Sequence, residues 1–170
     1  MRIAIVCGHF MPDVGYHEVN LARGLAHAGH QVRVFTSDKP SPSVARLRLP
    51  VFPAGLIVVE KGLFEIQRMK SLMSFRAMVL TRRLYKFVEE YKPDLVLALG
   101  VGKLFPLPVL VGPEKRDFGL ISLFGDNSDY QTWSNDRLSL LRLLSAWVHR
   151  ILKNPIYSLA VKTSDNLVLY

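Results

Sequence analysis

The sequence predicts an open α/β domain with a doubly wound, mostly parallel sheet that carries helices on both faces. Two observations predict it. Short apolar runs alternate with stretches of helical periodicity, and each run ends in a loop with glycine or polar residues. Continuous apolar runs are typical of parallel strands that are covered on both faces. A chain of 170 residues, 49% of them hydrophobic, can bury one core, so we expect a single domain over residues 1–170.

The first third of the chain predicts a β-loop-α-β unit. Residues 3–7 form an apolar run that predicts the central strand. From His17 onward, apolar residues at helical spacing predict a helix, which ends at Gly29, in the position of a left-handed cap. Residues 31–36 alternate polar and apolar side chains and predict the second strand. A unit of about 35 residues is typical of a right-handed parallel crossover.

The middle of the chain predicts a loop, short strands and a long helix. Residues 37–43 contain two prolines and three serines, a composition typical of a loop. Residues 47–60 predict one or two short strands, which Pro50 and Pro53 interrupt. Residues 63–91 contain neither proline nor glycine, and their apolar residues recur every three or four positions. This spacing predicts one long helix or two in sequence.

The last third predicts more strands of the same sheet. Pro93 ends the long helix, and residues 94–100 and 119–124 predict two further buried strands. We expect a helix from Ser134 or Asn135 onward and a strand from Asn166. Because ligands bind at the carboxyl ends of the strands in such sheets, the candidate site segments are residues 8–18, 100–103 and 125–129.

Several classes of site and location are disfavoured by composition. Cys7 is the only cysteine, so an internal disulfide is impossible, and a reducing, cytoplasmic location fits. The pair His17-Glu18 begins like a zinc-protease motif, but Leu21 stands where the second histidine is required, so we expect no metal. The most apolar later stretch contains one lysine and two prolines, which argues against a membrane span.

The net charge of +8 is compatible with anionic partners. The sequence has no zinc finger and no aromatic RNA-binding pattern, so we expect no nucleic acid. At about 100° per residue, the basic residues of the predicted long helix share one face. They are Arg68, Arg76, Arg82, Arg83 and Lys86. Two interpretations stay open, a solvated face or a surface for anionic membrane lipid or a phosphorylated acceptor.

Residues 12–18 connect the first strand to the first helix. Gly15 would allow backbone amides to approach a ligand, and the helix N-terminus could face a phosphate. The segment has neither the G-x-G-x-x-G spacing nor a Gly-Lys-Ser/Thr motif. An anion-binding loop and an ordinary turn, with Glu18 complementing the helix dipole, both remain compatible with it.

Asp126 lies just beyond the strand predicted over residues 119–124, after Gly125. Its carboxylate could orient a substrate hydroxyl or accept a proton, and it is the candidate catalytic residue. An Asx turn that caps the strand is the structural alternative.

The run from Pro12 to Ser37 resembles a known family. It contains Pro12-Asp13-Val14-Gly15-Tyr16-His17-Glu18, followed by Leu-Ala-x-x-Leu and then Gly29-His30-Gln31-Val32-Arg33-Val34-Phe35-Thr36. Over about thirty residues this is similar to the start of the GT-B glycosyltransferases of family 4. Lys92-Pro93-Asp94-Leu95-Val96 is similar to a later strand of that family, and residues 160–170 are similar to its approach to the interdomain linker.

The resemblance implies a Rossmann-like domain that forms the N-terminal, acceptor-side half of a GT-B fold. The enzyme would transfer a sugar, with retention, from a nucleotide-sugar co-substrate to a glycan, lipid-linked or cell-envelope acceptor, with no required metal or cofactor. The C-terminal donor-binding domain is absent from this chain, so we expect the isolated chain to be inactive.

The resemblance also implies site residues. Gly15 would lie on the side of the donor phosphates. Tyr16, His17 and Glu18 would border the acceptor, and Asp126 and Asn127 would contribute polar groups near the reacting centre. Many members have a histidine in that last loop, and a second glycine where this chain has Tyr16.

A second functional class remains open. The chain could be a non-catalytic Rossmann-like subunit that binds or tethers a partner chain. In either case we expect a cytoplasmic protein, with peripheral attachment to the inner face of the cell membrane through the basic face.

Overall fold

The computed structural model describes residues 1–41, 51, 53–75, 78–101, 103–113, 115–124, 151 and 154–169. The described strands are β1 (Arg2–Val6), β2 (Gln31–Ser37), β3 (Ile57–Glu60), β4 (Phe64–Met69), β5 (Ser71–Phe75), β6 (Met78–Thr81), β7 (Leu95–Leu99), β8 (Gly119–Phe124) and β9 (Asn166–Leu169). The described helices are α1 (His17–His27), α2 (Leu84–Tyr91), α3 (Leu107–Leu110) and α4 over residues 154–163. A short 3-10 turn over Pro12–Val14 precedes α1.

Seven strands form one sheet in the order β3-β4-β2-β1-β7-β8-β9, and β5 and β6 form a separate antiparallel hairpin. Every neighbouring pair in the large sheet is parallel except β3 and β4. The central strand is β1, as predicted. The chain proceeds from β1 to β2 on one side and later to β7 on the other. The topological switch point therefore lies between the carboxyl ends of β1 and β7.

The sheet is covered on both faces, which confirms the predicted doubly wound α/β class. Alternate residues of β1 point to opposite sides. Ile3 and Ile5 belong to a core cluster with Val19 and Ala22 of α1. The intervening Ala4 and Val6 belong to the other cluster. That second cluster also takes buried residues from the remaining helices: Leu84, Val88, Tyr91, Val109, Leu110, Ile156 and Ala160.

The predicted β-loop-α-β unit is confirmed closely. The predicted strand over residues 3–7 is β1, shifted by one residue, and the predicted strand over residues 31–36 is β2 with Ser37 added. The helix begins at His17, and Gly29 adopts the left-handed conformation, with φ of +84°. Later in the chain β7, β8 and β9 occupy the three predicted strand positions within one residue at each end. The helix expected after Ser134 lies largely outside the described residues.

The long helix predicted over residues 63–91 is wrong. This segment contains β4, β5 and β6, and only its last turns form α2. β4 lies between β2 and β3, and residues Ile66 to Met69 are all buried. β4 reads Phe-Glu-Ile-Gln-Arg-Met, and its three polar residues deny it the continuous apolar run that predicts a buried strand. Its few apolar residues also fitted the helical spacing. Pairing with β2 and β3 outweighed the weak local helix preference.

The basic helical face is therefore wrong as well. Arg68 lies in β4 and is only 2% exposed. Arg82 and Arg83 are exposed but precede α2, where Arg83 is the left-handed N-cap residue. Lys86 alone lies on α2, and it forms an ion pair of 3.7 Å with Glu90. Arg76 is outside the described residues.

Tyr91 lies at the amino-terminal edge of the sheet, opposite the edge at which the parallel strands end. Its hydroxyl donates to the Gln31 carbonyl at 3.1 Å, and the guanidinium carbons of Arg2 and Arg33 lie 4.7 and 4.4 Å from the ring centroid. Burial raises the pKa of Tyr91 above its ordinary value of about 10, and the two arginines oppose that shift.

The raised pKa of Tyr91 predicts a loss of stability at alkaline pH. The folded state favours the neutral phenol, so its contribution is complete below pH 10 and is lost as pH rises through the folded pKa. In urea unfolding between pH 8 and 11, we expect Tyr91→Phe to lose less free energy of unfolding above about pH 10 than the wild type. Equal pH slopes for the two proteins would contradict this assignment.

Candidate functional site

The loop after β1 is fixed to the end of β2. The Cys7 amide donates to the Phe35 carbonyl at 3.1 Å, which extends the strand pairing by one residue. The Gly8 carbonyl then accepts two hydrogen bonds from Ser37, one from its amide at 3.3 Å and one from its hydroxyl at 2.5 Å. The start of the loop is consequently held at the carboxyl edge of the sheet.

The 3-10 turn and Gly15 carry the loop into α1. The Val14 amide donates to the Met11 carbonyl at 3.1 Å and closes the turn. Gly15 follows with φ of +69° and ψ of 27°, a left-handed conformation that side chains with a Cβ adopt at a cost. Among the described residues, no heavy atom lies within 4 Å of a Cβ built on Gly15, so the backbone conformation is what favours glycine there.

The N-terminus of α1 opens towards the same edge. Tyr16 is the N-cap residue, and its carbonyl accepts from the amides of Val19 and Asn20 at 3.0 and 3.1 Å. The Tyr16 side chain itself makes no capping hydrogen bond to the helix. His17 is exposed, whereas Tyr16 and Glu18 are half-buried. Uncapped amides at a helix N-terminus favour a negatively charged ligand group.

The loop after β7 lies on the other side of the switch point. β1 pairs with β7 in parallel, with Val6 opposite Ala98, so both strands end at the same edge. Gly100 has φ of +66°, and the Lys103 ammonium lies 3.7 Å from the position of a Cβ on Gly100. Phe105 lies 3.5 Å from the corresponding position on Gly8. The two loops are therefore in contact.

Charges of both signs act on the buried Cys7 thiol at this edge. Burial raises its pKa far above the ordinary range, and the Glu18 carboxylate adds to that shift. Arg68 and Lys103 oppose it. Glu18 lies in the first turn of α1, and Lys103 lies in the loop after β7. A carboxylate and an ammonium therefore come from the two sides of the switch point and both act on Cys7.

The raised pKa predicts that Cys7 is chemically inert in the folded protein. The reactive species of cysteine is the thiolate, which is suppressed here, and the thiol itself is buried. We expect iodoacetamide at pH 8 to modify Cys7 only as the chain unfolds, with a rate that follows the urea unfolding curve. Rapid modification without denaturant, measured by mass spectrometry, would show that this edge is open.

Four of the predicted site residues are consecutive in the chain and lie together at one edge of the sheet, and their predicted roles stay predictions. Gly15, Tyr16, His17 and Glu18 lie at the switch point, as the sequence placed them. Asp126 and Asn127 are outside the described residues, so their predicted roles stay predictions. In the described part of the chain, no three His, Cys, Asp or Glu side chains are grouped to hold a metal ion. Nor does that part contain a helix long and apolar enough to cross a membrane.

Two further polar residues lie at this edge. Lys103 falls within the predicted site segment 100–103, whereas Ser37 was not predicted as a site residue. Ser37 is the last residue of β2, and Lys103 follows β7 by four residues. Both positions follow the rule that ligand sites lie at the carboxyl ends of strands, so the sequence contained a signal for them. Arg68 was predicted on an exposed helical face. In the structure it is buried and donates to the Ser37 and Phe10 carbonyls at this edge, and no signal in the neighbouring sequence indicated these contacts.

Fold and site together define an α/β domain with a candidate ligand crevice at the switch point of a doubly wound sheet. No protein-family model matches the sequence, and no curated protein matches it significantly. Among solved structures, the chain is similar to a sucrose-phosphate synthase from Thermosynechococcus elongatus, with a TM-score of 0.48 and 18% identity. The alignment covers 99% of this chain and 47% of that chain, so this chain spans about half its length. A likeness of this degree assigns neither an activity nor a substrate.

Proposed function

We propose that this chain is the acceptor-side domain of a retaining glycosyltransferase. The enzyme moves a sugar from a nucleotide-sugar to a glycan, a lipid-linked or a cell-envelope acceptor. One observation carries the proposal: the segment that resembles family 4 enzymes, residues 12–37, runs through the switch-point crevice. Within it, Gly15 has φ of +69° and stands directly before the N-cap residue of α1. The crevice is where doubly wound sheets bind their ligands.

The charges of the crevice support a ligand that carries both phosphate and hydroxyl groups. The N-terminus of α1 and the Lys103 ammonium suit the donor phosphates. Gly15 allows the backbone to approach them closely. The Glu18 carboxylate is an acceptor for sugar hydroxyls and would repel a phosphate placed directly against it. We therefore assign the Glu18 side of the crevice, with Tyr16 and His17, to the acceptor.

The proposal includes a partner domain and no metal or cofactor. A second α/β domain would supply most contacts to the nucleotide and would close the crevice from the other side. Asp126 is the candidate polar group near the reacting centre, with Asn127 beside it. An orienting or proton-accepting role for Asp126 requires it to reach the acceptor hydroxyl within hydrogen-bond distance.

The first test is to read the coding sequence beyond Tyr170, and the second is to assay the complete gene product for sugar transfer. We expect the reading frame to continue beyond Tyr170 into a second α/β domain. The complete gene product should transfer sugar from one of a panel of UDP-, GDP- and ADP-sugars, with the anomeric configuration retained in proton NMR of the product. Residues 1–170 alone should show negligible transfer.

Three outcomes would contradict the proposal in whole or in part. Transfer by residues 1–170 alone would remove the need for a partner domain. A stop codon directly after Tyr170 would favour the non-catalytic binding subunit instead. Inversion of the anomeric configuration would retain the transferase but reject the retaining mechanism.

A further inference from the structure

We propose that Arg68 is a positioning residue that fixes the loop of the candidate crevice from beneath the sheet edge. Arg68 lies in β4, is 2% exposed and has the largest fully buried side chain among the described residues. Its Nη1 donates to the Ser37 carbonyl at 3.0 Å, and its Nη2 donates to the Phe10 carbonyl at 2.8 Å. One guanidinium thereby links the end of β2 to the loop after β1.

The buried charge makes these two carbonyls obligatory partners. No described carboxylate forms an ion pair with Arg68 within 4 Å. Its Nε is buried and has no hydrogen-bond partner among the described residues. Burial lowers the pKa of Arg68, and the nearby Cys7 and Asp38 oppose that shift. A guanidinium remains charged in proteins, so its burial here depends on the carbonyl dipoles of Phe10 and Ser37.

Arg68 acts together with two other contacts on the same loop. Ser37 holds the Gly8 carbonyl, and the ring of Phe10 meets the ring of Phe64 edge-on, with 5.9 Å between centroids. The 3-10 turn begins at Pro12, two residues after Phe10, and Gly15 follows it. The position of Phe10 therefore sets where Gly15 and the start of α1 lie. Arg68 itself is buried, so we infer that it affects a ligand through the position of this loop and not by direct contact.

The fork geometry of arginine is required for this role. Two of its nitrogens reach two carbonyls of different segments at once. A lysine at this position keeps the charge and most of the aliphatic stem but presents one compact ammonium. A methionine keeps the stem alone and leaves both carbonyls without their donor. Arg68→Lys therefore removes the two-pronged geometry but keeps the charge, whereas Arg68→Met removes the charge as well and keeps only the buried aliphatic volume.

Arg33→Met is the matched control. Arg33 is an arginine of the same sheet that is only partly buried, and its Nη2 lies 2.6 Å from the Glu65 carboxylate. It contacts Tyr91 at the amino edge, far from the crevice loop. Its loss removes a comparable set of contacts without affecting the carboxyl edge.

Hydrogen–deuterium exchange of the chain measures the proposed effect. The measured quantity is the exchange rate of peptides over residues 8–20 divided by that of the β7 peptide. We expect both Arg68 variants to raise this ratio by about tenfold, because they lose hydrogen bonds from a charged donor. Arg33→Met should leave that ratio unchanged. Equal acceleration in the loop and in β7, or no acceleration in the loop, would overturn the proposal. If Arg68→Met does not fold, the Arg68→Lys ratio decides.

A second readout rests on the proposed function. In the complete enzyme we expect Arg68→Lys to lower kcat/KM by about tenfold, with Arg33→Met near the wild type, because a displaced loop misplaces the substrates. Wild-type protein without transfer activity would reject the proposed function and leave the exchange result standing. A loop that exchanges faster with kcat/KM unchanged would reject the role in the site.

Discussion

Gly15→Val is expected to lower turnover of the complete transferase about 100-fold while the domain stays folded, since small displacements of positioning groups have effects of this size. Gly15 has φ of +69°, which a β-branched residue adopts only at a cost of about 1–3 kcal/mol. In the described part of the chain, no atom lies within 4 Å of the new Cβ, so the expected effect comes from the backbone conformation. The loop would relax by rotating its backbone, which moves the first amides of α1 away from the ligand.

Two control variants separate conformation from packing. Gly15→Asn should retain most of the turnover, because asparagine tolerates the left-handed conformation better than other residues. Gly24→Ala lies in the exposed middle of α1 with open space at its Cβ, and it should raise the free energy of unfolding by about 0.5–1 kcal/mol without affecting turnover. Steady-state kinetics and urea unfolding measure both. Unchanged kinetics in Gly15→Val would remove the loop from the active site.

Phe10→Ala is expected to lower the free energy of unfolding by about 3–5 kcal/mol, the range for a buried phenylalanine. Phe10 is 1% exposed and packs edge-on against Phe64 in the core beneath α1. Its removal leaves a cavity in that core and loosens the segment whose carbonyl accepts from Arg68. Stability and loop order should therefore decline together.

The control for Phe10→Ala is Leu72→Ala in the separate hairpin. Leu72 is 53% exposed, so its truncation should change the free energy of unfolding by less than about 0.5 kcal/mol. Urea unfolding followed by circular dichroism gives both values. A loss below about 1 kcal/mol for Phe10→Ala would contradict the packing of this loop on the sheet.

The sequence predicted the fold well where a local signal and the tertiary context agreed. The apolar run at residues 3–7 and the helical stripe from His17 are signals of this kind, and they gave β1, α1 and β2 nearly to the residue. The loop at Gly15 followed from the same reasoning, because a strand that enters a helix at the switch point leaves its connection at the carboxyl edge.

The segment from Phe64 to Thr81 could not be predicted in this way. β4 is buried on both faces and forms an antiparallel pair with β3. The strand signal over residues 47–60, which contains β3, is weak and interrupted by prolines, so it did not specify this pairing. Its burial depends on strands distant in sequence, which no local window contains. Arg68 is the clearest case. An arginine among residues at helical spacing predicts a solvated side chain, and only its pairing position opposite Thr36 reveals the buried fork.

One measurement tests the central claim, that the ligand site lies at the carboxyl edge between the loops after β1 and β7. Hydrogen–deuterium exchange of the complete gene product is compared with and without the nucleotide-sugar that supports transfer. We expect protection in peptides covering residues 8–20 and 99–105, and none around Arg2, Arg33 and Tyr91 at the opposite edge. Protection confined to that amino edge, or none in either loop, would contradict the account.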